Sequence, residues 1–387
     1  MSSGYDVFVR GSGIVGKTLA LALARTGLAV AITRAPVRSP SGGKDRPAAG
    51  PAPAAGAGDD VRAYALSEKS IALLRSVKAW DNLPPDSATA VYDMRIEGDA
   101  PGAGALEFSS WEQGVGELAW IVDAGALESA LEQALRYQPH VTEVDVPVSA
   151  TLVAICEGKE SAAREALGVQ WERFGYGQTA IAARLVADRP HAGVARQWFR
   201  SPDVLALLPF GRPAPGSSYG LVWSLPDARA AELMALDEPA FMQELQAACG
   251  QAPGRLELRS ARASWPLVLA RASRWCGPGW VLLGDAAHVV HPLAGQGLNL
   301  GLADVEVLAR VLREREAWRP ISDEKLLRRY ERERAAPTWA MGRVTDGLLH
   351  LFATPAAPLR ELRNRGLGLV NQLGPVKRWL TARALDS

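Results

Sequence analysis

Cysteine is scarce in this chain of 387 residues, which contains only Cys156, Cys249 and Cys276. An odd number of widely spaced cysteines provides neither a disulfide framework nor a cluster of metal ligands. The chain also lacks an excess of charge of one sign, since 43 lysines and arginines nearly balance 42 aspartates and glutamates. We therefore expect a protein of a reducing compartment, and no overall field that would favour nucleic-acid binding.

Long uncharged apolar runs are absent as well. None reaches the roughly 18 residues that a membrane-spanning helix needs. The first residues predict a strand rather than a basic and apolar signal segment. We expect a cytoplasmic protein that contacts a membrane at most at its surface, and the length favours more than one domain.

A glycine-rich turn follows the first predicted strand. The apolar segment 5–10 leads into GSGIVG at 11–16, and an alanine- and leucine-rich helix continues to Arg25. In a strand–turn–helix unit of this kind the first glycine makes the turn, the second admits a pyrophosphate, and the third packs the helix on the strand. The residues predicted to bind a dinucleotide here are Gly11, Gly13, Ile14, Val15 and Gly16.

The next predicted strand, 28–33, ends in a departure from the dinucleotide pattern. An Asp or Glu that binds the adenosine ribose is usual at its end, whereas this chain has Thr33 and Arg34. Arg34 could hold a 2′-phosphate, which would indicate an NADP-dependent reductase. The interpretation that we favour is a solvated loop residue.

A second motif, GDAAHVVHPLAGQGLNLG at 284–301, predicts a flavin site. The apolar run 280–283 predicts a buried strand that brings Asp285 to a strand end, where its carboxylate can accept hydrogen bonds from ribityl or ribose hydroxyls. Gly295 and Gly297 permit close backbone approach. A helix that begins near Leu298 would direct its free N–H groups at an electron-rich ligand.

These motifs resemble those of the FAD-dependent aromatic hydroxylases, the single-component flavoprotein monooxygenases, and within them the ubiquinone-biosynthesis hydroxylases. The resemblance runs over nearly the whole chain and includes DVRAYALS at 60–67, IVD at 121–123 and TDGL at 345–348. It implies an α/β fold in which a Rossmann-like FAD-binding domain, with the βαβ unit of glutathione reductase, carries an inserted substrate domain. That domain would be a mostly antiparallel β-sheet, and a C-terminal helical segment would follow.

The predicted domains are discontinuous in sequence. Residues 1–90, 110–165 and 275–345 form the FAD-binding domain, with a flexible loop at 35–59 that is rich in Pro, Ala, Gly and Ser. Residues 91–109 and 166–274 form the substrate-binding sheet, and residues 346–387 the C-terminal helical segment. Alternating and β-branched stretches predict strands of that sheet at 91–96, 180–186, 194–199, 205–210 and 219–225.

The resemblance implies that NAD(P)H reduces FAD, that dioxygen adds to the flavin, and that the flavin hydroperoxide hydroxylates an aromatic ring, here a polyprenyl phenol or quinol. NAD(P)H would bind only transiently, because the sequence has no second GxGxxG. The backbone at 295–298 would stabilise negative charge on the reduced flavin, and Pro292 would shape the face where oxygen reacts. The residues predicted to serve catalysis are Pro292, Gly295, Gln296 and Gly297.

Further cofactor contacts follow from the same resemblance. Glu157 and Gly158 stand where the family has Asp-Gly, and the longer Glu can still accept the same hydrogen bonds from a shifted position. Arg62 would lie near the flavin and its pyrophosphate, and Asp123 near the ribityl or adenosine part. The predicted cofactor ligands outside the glycine-rich turn are Arg34, Arg62, Asp123, Glu157, Gly158, Asp285, Gly297, Leu298 and Asn299.

Two alternatives stay open at the level of the sequence. Glu157 and Arg34 are also compatible with a degenerate family member that binds FAD weakly or not at all and serves as a lipid- or partner-binding protein. Beyond residue 359, arginines and lysines alternate with leucines and could form a basic amphipathic surface for a membrane or a biosynthetic partner. A terminal helical hairpin packed on the cofactor domain is the other interpretation of that segment.

Overall fold

The computed structural model describes residues 4–34, 60–98, 105–290 and 297–353, except for the side chains of residues 337 and 340–353. Several expectations lie outside these residues. They are the flexible loop at 35–59, the catalytic residues Pro292, Gly295 and Gln296, and the basic surface beyond residue 359.

The described chain alternates strands and helices. The strands are β1 (Tyr5–Arg10), β2 (Val30–Thr33), β3 (Ala63–Leu66), β4 (Ala88–Val91), β5 (Asp93–Glu97), β6 (Ala105–Ser109), β7 (Ala119–Asp123), β8 (Val141–Val144), β9 (Ala150–Ile155), β10 (Trp171–Ala187), β11 (Val194–Arg200), β12 (Asp203–Phe210), β13 (Ser218–Pro226), β14 (Leu256–Leu258), β15 (Ala263–Ala272), β16 (Cys276–Gly277), β17 (Trp280–Leu282) and β18 (His288–Val289). The helices are α1 (Ile14–Ala24), α2 (Glu68–Ser76), α3 (Ser110–Gln113), α4 (Ala124–Arg136), α5 (Ala162–Ala166), α6 (Asp227–Ala235), α7 (Glu238–Cys249), α8 (Gly297–Arg313) and α9 (Glu324–Ala353).

A six-stranded sheet carries the glycine-rich turn, in the order β16-β17-β9-β1-β2-β8. Its strands pair in parallel except for β16. Val7, Val9 and Val30 are fully buried in it, as expected for a parallel sheet that is covered on both faces. The carboxyl ends of β1, β9 and β17 therefore meet at one edge, which brings the two glycine-rich motifs together.

The second large sheet is mostly antiparallel, which confirms the prediction from the alternating stretches. Its order is β18-β15-β10-β13-β12-β11-β5-β6, with β14 also beside β10. The β11–β5 pair is parallel. Helices α6 and α7 close one face of this sheet over a core that includes Trp198, Trp223 and Phe241.

The stretch predicted as one strand at 91–96 is divided in the structure. Tyr92 donates its N–H to the Gly193 carbonyl at 2.9 Å and accepts from the Ser110 N–H at 2.8 Å. The chain consequently leaves a small sheet, β3-β7-β4, at Val91 and joins the large antiparallel sheet as β5. The alternating pattern is the same on both sides of Tyr92, so it could not predict this change of sheet.

The helix predicted after the glycine-rich turn is α1, which ends at Ala24. Ser67 caps α2 by accepting from the Ser70 N–H, and Asp123 precedes α4. Within the described ranges no helix combines the length and the hydropathy needed to cross a membrane, and the three cysteines are free and buried.

Candidate active site

A cavity of about 820 Å³ is lined by residues of both large sheets. We call its polar part the dinucleotide end, and its lining includes Arg10, Gly11, Gly13, Arg34, Asp145, Glu157, Gly158, Asp285 and Gly297. We call its other part the apolar end, and its lining includes Met94, Ala180, Ala182, Ala195, Gln197, Ala206, Leu221 and Trp265. The cavity is continuous, so a ligand at one end can contact a ligand at the other.

The glycine-rich turn has a shape that only glycine permits. Gly11 has φ +119°, and a Cβ there would lie 2.2 Å from the Cys156 carbonyl oxygen. A Cβ on Gly16 would lie 2.0 Å from the Gly11 carbonyl oxygen, whereas Gly13 faces open space. Because Gly13 precedes α1 and has no side chain to cap it, the first N–H groups of this helix are left open to a ligand. Ile14 and Val15 line the same part of the cavity.

Asp285 follows β17 in a single 3₁₀ turn, at the sheet edge that the motif predicts. Its side chain lines the cavity, to which the residue is exposed. Burial raises the pKa of the Asp285 carboxyl, while His288 and Lys159 act in the opposite direction. Its carboxylate accepts no hydrogen bond from the described residues. An oxygen acceptor of this kind fits a ligand hydroxyl.

Asp304 on α8 supports the turn that presents Asp285. Its carboxylate is completely buried and accepts from the Gly284 N–H at 2.9 Å, with His288 Nε2 at 2.7 Å and Arg334 Nε at 2.7 Å. Burial alone raises the pKa of the Asp304 carboxyl, but His288 and Arg334 together outweigh burial and lower it. Sequence reasoning missed this residue, although a carboxylate on the apolar face of α8 was a signal of it.

Val15 brings α1, the Asp285 turn and α8 close together. A Cβ on Gly301 would lie 2.8 Å from Val15 Cγ2, and one on Gly284 would lie 3.3 Å from the same atom. This close approach places Gly297 and Leu298, at the start of α8, in the wall of the cavity. The N-terminus of α8 therefore lies where the motif predicts it.

Asn299 and Asp123 serve the framework rather than the cavity wall. Asn299 accepts from Ser70 Oγ at 2.7 Å and donates to the Ala65 carbonyl at 2.8 Å, which ties α8 to α2 and β3. Asp123 caps α4 by accepting from the Ala126 N–H at 2.8 Å. A direct contact of either residue with the cofactor stays a prediction.

Arg62 lines the cavity, but its guanidinium is held by protein carboxylates. Its Nε donates to Asp60 at 2.9 Å and its Nη2 to Glu128 at 3.2 Å. The hydrogen bond with Asp60 is the main reason why the pKa of Arg62 is raised. Its Nη1 donates to the Tyr64 hydroxyl at 3.3 Å. Contact with a phosphate, which the resemblance implies, would have to share the guanidinium with these partners.

Glu157 also has protein partners. Its carboxylate pairs with Arg10 at 2.9 Å and accepts from Ser161 Oγ at 2.8 Å and the Ala163 N–H at 2.9 Å. These bonds hold the start of α5. Glu157 and Gly158 nevertheless line the dinucleotide end, and their contact with the cofactor stays a prediction.

Arg34 lies at the rim of the dinucleotide end beside two carboxylates. It is 3.3 Å from Asp145 and 3.8 Å from Glu143, and half of its side chain is exposed. A 2′-phosphate at Arg34 would therefore lie next to two negative charges, which disfavours it. Asp145 follows the neighbouring strand β8, and its carboxylate lines the dinucleotide end of the cavity. It thus provides the acidic side chain that is missing at the end of β2.

Alanines make the room at the apolar end. Ala180 and Ala182 on β10 have the two-residue spacing that directs side chains to one face of a sheet, as do Ala195 and Gln197 on β11. Small side chains on one face leave space for a planar ring. Sequence reasoning assigned none of these residues, because strands give no contiguous motif.

Arg184 is a buried cation that sequence reasoning also missed. Its Nη2 donates to the Arg62 carbonyl at 2.7 Å and to the Asp60 carbonyl at 3.3 Å. Its guanidinium lies 3.7 Å from the centre of the Phe210 ring. Arg184 thus holds the segment before β3 against the antiparallel sheet.

The described residues fit FAD. Gly13 leaves open space beside the start of α1, and the Asp285 carboxylate lines the cavity without a hydrogen-bond partner among the residues that the structure describes. A pyrophosphate matches the first feature, and a ribityl hydroxyl matches the second.

Comparisons with known proteins agree with this geometry. Residues 127–345 match the family model described as FAD binding domain. The ubiquinone hydroxylase UbiL of Rhodospirillum rubrum is 32% identical, over 99% of this chain and 90% of its own. The 3-demethoxyubiquinol 3-hydroxylase of Escherichia coli is 30% identical, over 98% of each chain. The crystal structure of p-nitrophenol 4-monooxygenase PnpA from Pseudomonas putida superposes with a TM-score of 0.74 over 100% of this chain and 99% of its own, at 16% identity, and so shows the fold.

Proposed function

The chain belongs to the family of FAD-dependent aromatic hydroxylases, and from this membership we propose that it hydroxylates the ring of a polyprenyl phenol or quinol in ubiquinone biosynthesis. The membership makes the protein a flavin-dependent monooxygenase that acts on an aromatic ring. The isoprenoid substrate is the proposed part. It is supported by the names of two similar proteins, the ubiquinone hydroxylase UbiL of Rhodospirillum rubrum and the 3-demethoxyubiquinol 3-hydroxylase of Escherichia coli.

The observation that carries the proposal is the continuity of the cavity. The dinucleotide end opens directly into the alanine-lined apolar end. An aromatic ring bound among Ala180, Ala182 and Ala195 would therefore lie next to a flavin held by Asp285 and the start of α8. Bound FAD supplies the redox chemistry that transfers one oxygen atom of dioxygen to the ring.

The residues of the site then have distinct roles. Asp285 would accept hydrogen bonds from cofactor hydroxyls, and the N–H groups at Gly297 and Leu298 would stabilise negative charge on a bound flavin. The apolar end excludes water and orients the ring. Gln197, an uncharged polar residue among the alanines, is placed to hold the phenol hydroxyl.

NAD(P)H is proposed as a transient reductant. The pairing of Arg34 with Glu143 and Asp145 argues against a 2′-phosphate site at the rim. For FAD, we propose that the adenosine ribose contacts Asp145, because Asp145 lines the dinucleotide end and β2 does not end in a carboxylate.

An oxygen-transfer assay tests this function. The protein is first incubated with FAD and desalted, and a retained flavin absorption spectrum shows that Arg34 and Glu157 are tolerated. A polyprenyl phenol is then supplied with NADH or NADPH under ¹⁸O₂, and mass spectrometry is expected to find a product that contains one ¹⁸O atom.

A control substrate tests the specificity for the isoprenoid chain. The same phenol without the isoprenoid chain is expected to be a poorer substrate, because it buries less apolar surface in the cavity. Hydroxylation of the short phenol but not of the polyprenyl phenol would contradict the ubiquinone proposal and leave the aromatic hydroxylase in place. A protein that remains colourless after incubation with FAD would contradict both.

A further inference from the structure

A second cavity, of about 970 Å³, adjoins the first. Val290 lines both cavities. The remaining walls of the second cavity come from the first part of β10, the end of β15 with the segment 273–275 that follows it, β18, and the face of α9 from Glu331 to Trp339. None of these residues belongs to the cofactor site described above, apart from His288, which bonds to Asp304.

Aromatic side chains form much of this wall. Trp275 is 5% exposed and stacks on the His288 ring with 4.8 Å between ring centres. Phe174 and Trp339 lie at the mouth and are 54% and 55% exposed. Exposed aromatic residues that line a mostly apolar cavity favour a ligand with a ring or another apolar body.

Two buried polar atoms face no protein partner. Gln178 and Thr338 are 6% and 4% exposed, and both line the second cavity. Gln178 Oε1 and Thr338 Oγ1 have no hydrogen-bond partner among the described residues, although the Gln178 amide nitrogen donates to the Pro202 carbonyl at 3.4 Å. Buried polar atoms without a partner are costly and call for a ligand or a bound water.

The backbone of β10 is also irregular at this place. Its pairing with β15 shifts in register between Gly175 and Thr179, and Gly177 has φ +64°. A bulge of this kind re-aims side chains relative to a regular strand. Gln178 is thereby placed in the wall of the second cavity.

The charges in the wall argue for a neutral ligand. Arg271 pairs with Glu172 at 2.6 Å, and Glu331 accepts from the Trp275 N–H at 2.7 Å. No cation among the described lining residues is left to hold a phosphate. A nucleotide is therefore disfavoured, because its phosphates require paired positive charge or a helix N-terminus.

We propose that the second cavity is a binding site for a neutral aromatic alcohol. Its ring lies against Trp275, its hydroxyl donates to Gln178 Oε1, and the Thr338 hydroxyl completes the contact. The site is separate from the ring position beside the flavin, and its occupation does not depend on the substrate proposed above.

A fluorine NMR titration tests the site. The full-length, FAD-loaded protein is titrated with 4-fluorophenol, and each saturable bound resonance is assigned with variants. Gln178→Leu and Thr338→Val remove one hydrogen-bonding group each at nearly constant volume. Each substitution is expected to raise the dissociation constant measured from one bound resonance by roughly 3- to 10-fold, which is the effect of losing one hydrogen bond. Thr338→Val should not lower the melting temperature, because Thr338 Oγ1 has no partner among the described residues. Gln178→Leu also removes the long hydrogen bond to the Pro202 carbonyl, so its melting temperature should fall only slightly.

Matched controls separate this site from its surroundings. Thr179→Val removes a hydroxyl from the neighbouring position of β10, where it bonds to Asp227 at 2.8 Å, and should leave the resonance unchanged. Gln197→Leu alters the first cavity and should also leave the resonance of the ligand in the second cavity unchanged. If the buried variants fold poorly, Ala336→Trp narrows the mouth from an exposed position of α9 and is expected to weaken the same resonance.

The proposal is overturned if no saturable binding occurs, or if Gln178→Leu and Thr338→Val bind 4-fluorophenol as the unaltered protein does. Weakening by Gln197→Leu alone would assign the probe to the first cavity and would equally reject the second site. If these two variants had a lower melting temperature but an unchanged affinity for 4-fluorophenol, Gln178 and Thr338 would stabilise the fold rather than bind a ligand.

Discussion

The two ends of the first cavity are built in different ways. The dinucleotide end combines the glycine backbone of two short motifs with charged side chains at the edge of the parallel sheet, whereas the apolar end consists of side chains from several strands of the antiparallel sheet. Glycines make room at the first end, and alanines at the second. A substitution at the dinucleotide end should therefore affect folding and the cofactor, and one at the apolar end mainly the substrate.

The largest effect is expected from Gly11→Ala. The added Cβ would lie 2.2 Å from the Cys156 carbonyl oxygen at a φ of +119°, so strain and overlap together should cost roughly 2–6 kcal/mol of stability. Urea unfolding measures the loss, and the absorption spectrum should show no retained flavin.

Gly13→Ala is the matched control for that variant. The space around Gly13 is open and its φ is −76°, so the free energy of unfolding should stay nearly unchanged while FAD binding weakens. Equal destabilisation by both substitutions would show that Gly13 shapes the turn rather than admitting the cofactor.

Asp285→Asn should separate cofactor binding from stability. Loss of a charged acceptor of ligand hydrogen bonds should cost roughly 1.5–3 kcal/mol of FAD affinity, about 10- to 150-fold. Quenching of flavin fluorescence on binding measures this. The FAD-free protein should not be destabilised, since the Asp285 carboxylate has no hydrogen-bond partner among the described residues; a lower free energy of unfolding would reveal one.

The pH dependence of the FAD-free protein should distinguish Asp285 from Asp304. Because the folded pKa of Asp285 is raised, its contribution to stability should fall as pH rises from about 4, its unfolded value, through the raised pKa. The folded pKa of Asp304 is lowered, so its contribution is present above about 4 and is lost as pH falls through the lowered pKa.

Urea unfolding over a pH series checks both signs. Asp285→Asn should abolish the decline on the alkaline side and retain the loss in acid. Asp304→Asn should do the reverse and be strongly destabilised, because it leaves Arg334 without its buried partner.

At the apolar end, Ala182→Leu should reduce catalysis without loss of FAD. Its longer side chain would occupy the space proposed for the ring, and the KM for the aromatic substrate should rise by about 10-fold or more, equivalent to at least about 1.4 kcal/mol. Steady-state kinetics and the flavin spectrum measure the two effects. Ala182→Gly, which adds no volume, should keep the KM low; loss of flavin in Ala182→Leu would contradict the separation of the two ends.

The smallest effect is expected from Asp145→Asn. Its ion pair with Arg34 is exposed and should contribute less than about 1 kcal/mol to stability. If Asp145 contacts the adenosine ribose, FAD affinity should fall by roughly 2- to 10-fold. Glu143 is the other partner of Arg34, and Glu143 does not line the cavity. Glu143→Gln is therefore the matched control. An equal effect of both substitutions would indicate a general change of charge rather than a ribose contact.

The cofactor residues show how far sequence reasoning reaches. Gly11, Gly13 and Asp285 line the cavity as their motifs predict, because a strand–turn–helix unit places contiguous residues together. The partners of Arg62 and Glu157 were not predictable, because Glu128 and Arg10 reach them from other elements. The domain boundaries and the catalytic roles of Pro292, Gly295 and Gln296 stay predictions.

By itself the sequence determined the α/β class, the flavin motifs and the antiparallel sheet, since these depend on local spacing and on the alternation of side chains. Only the tertiary structure decided which residues meet at the cavity: Asp304 beneath the Asp285 turn, Arg184 between the sheets, and the alanines of β10 and β11. Local patterns repeat along a chain, whereas the pairing of distant strands depends on the packing of the whole molecule. One part of the cavity is therefore formed by contiguous motifs that the sequence predicts. The other part is formed by side chains distant in sequence, which come together only in the folded structure.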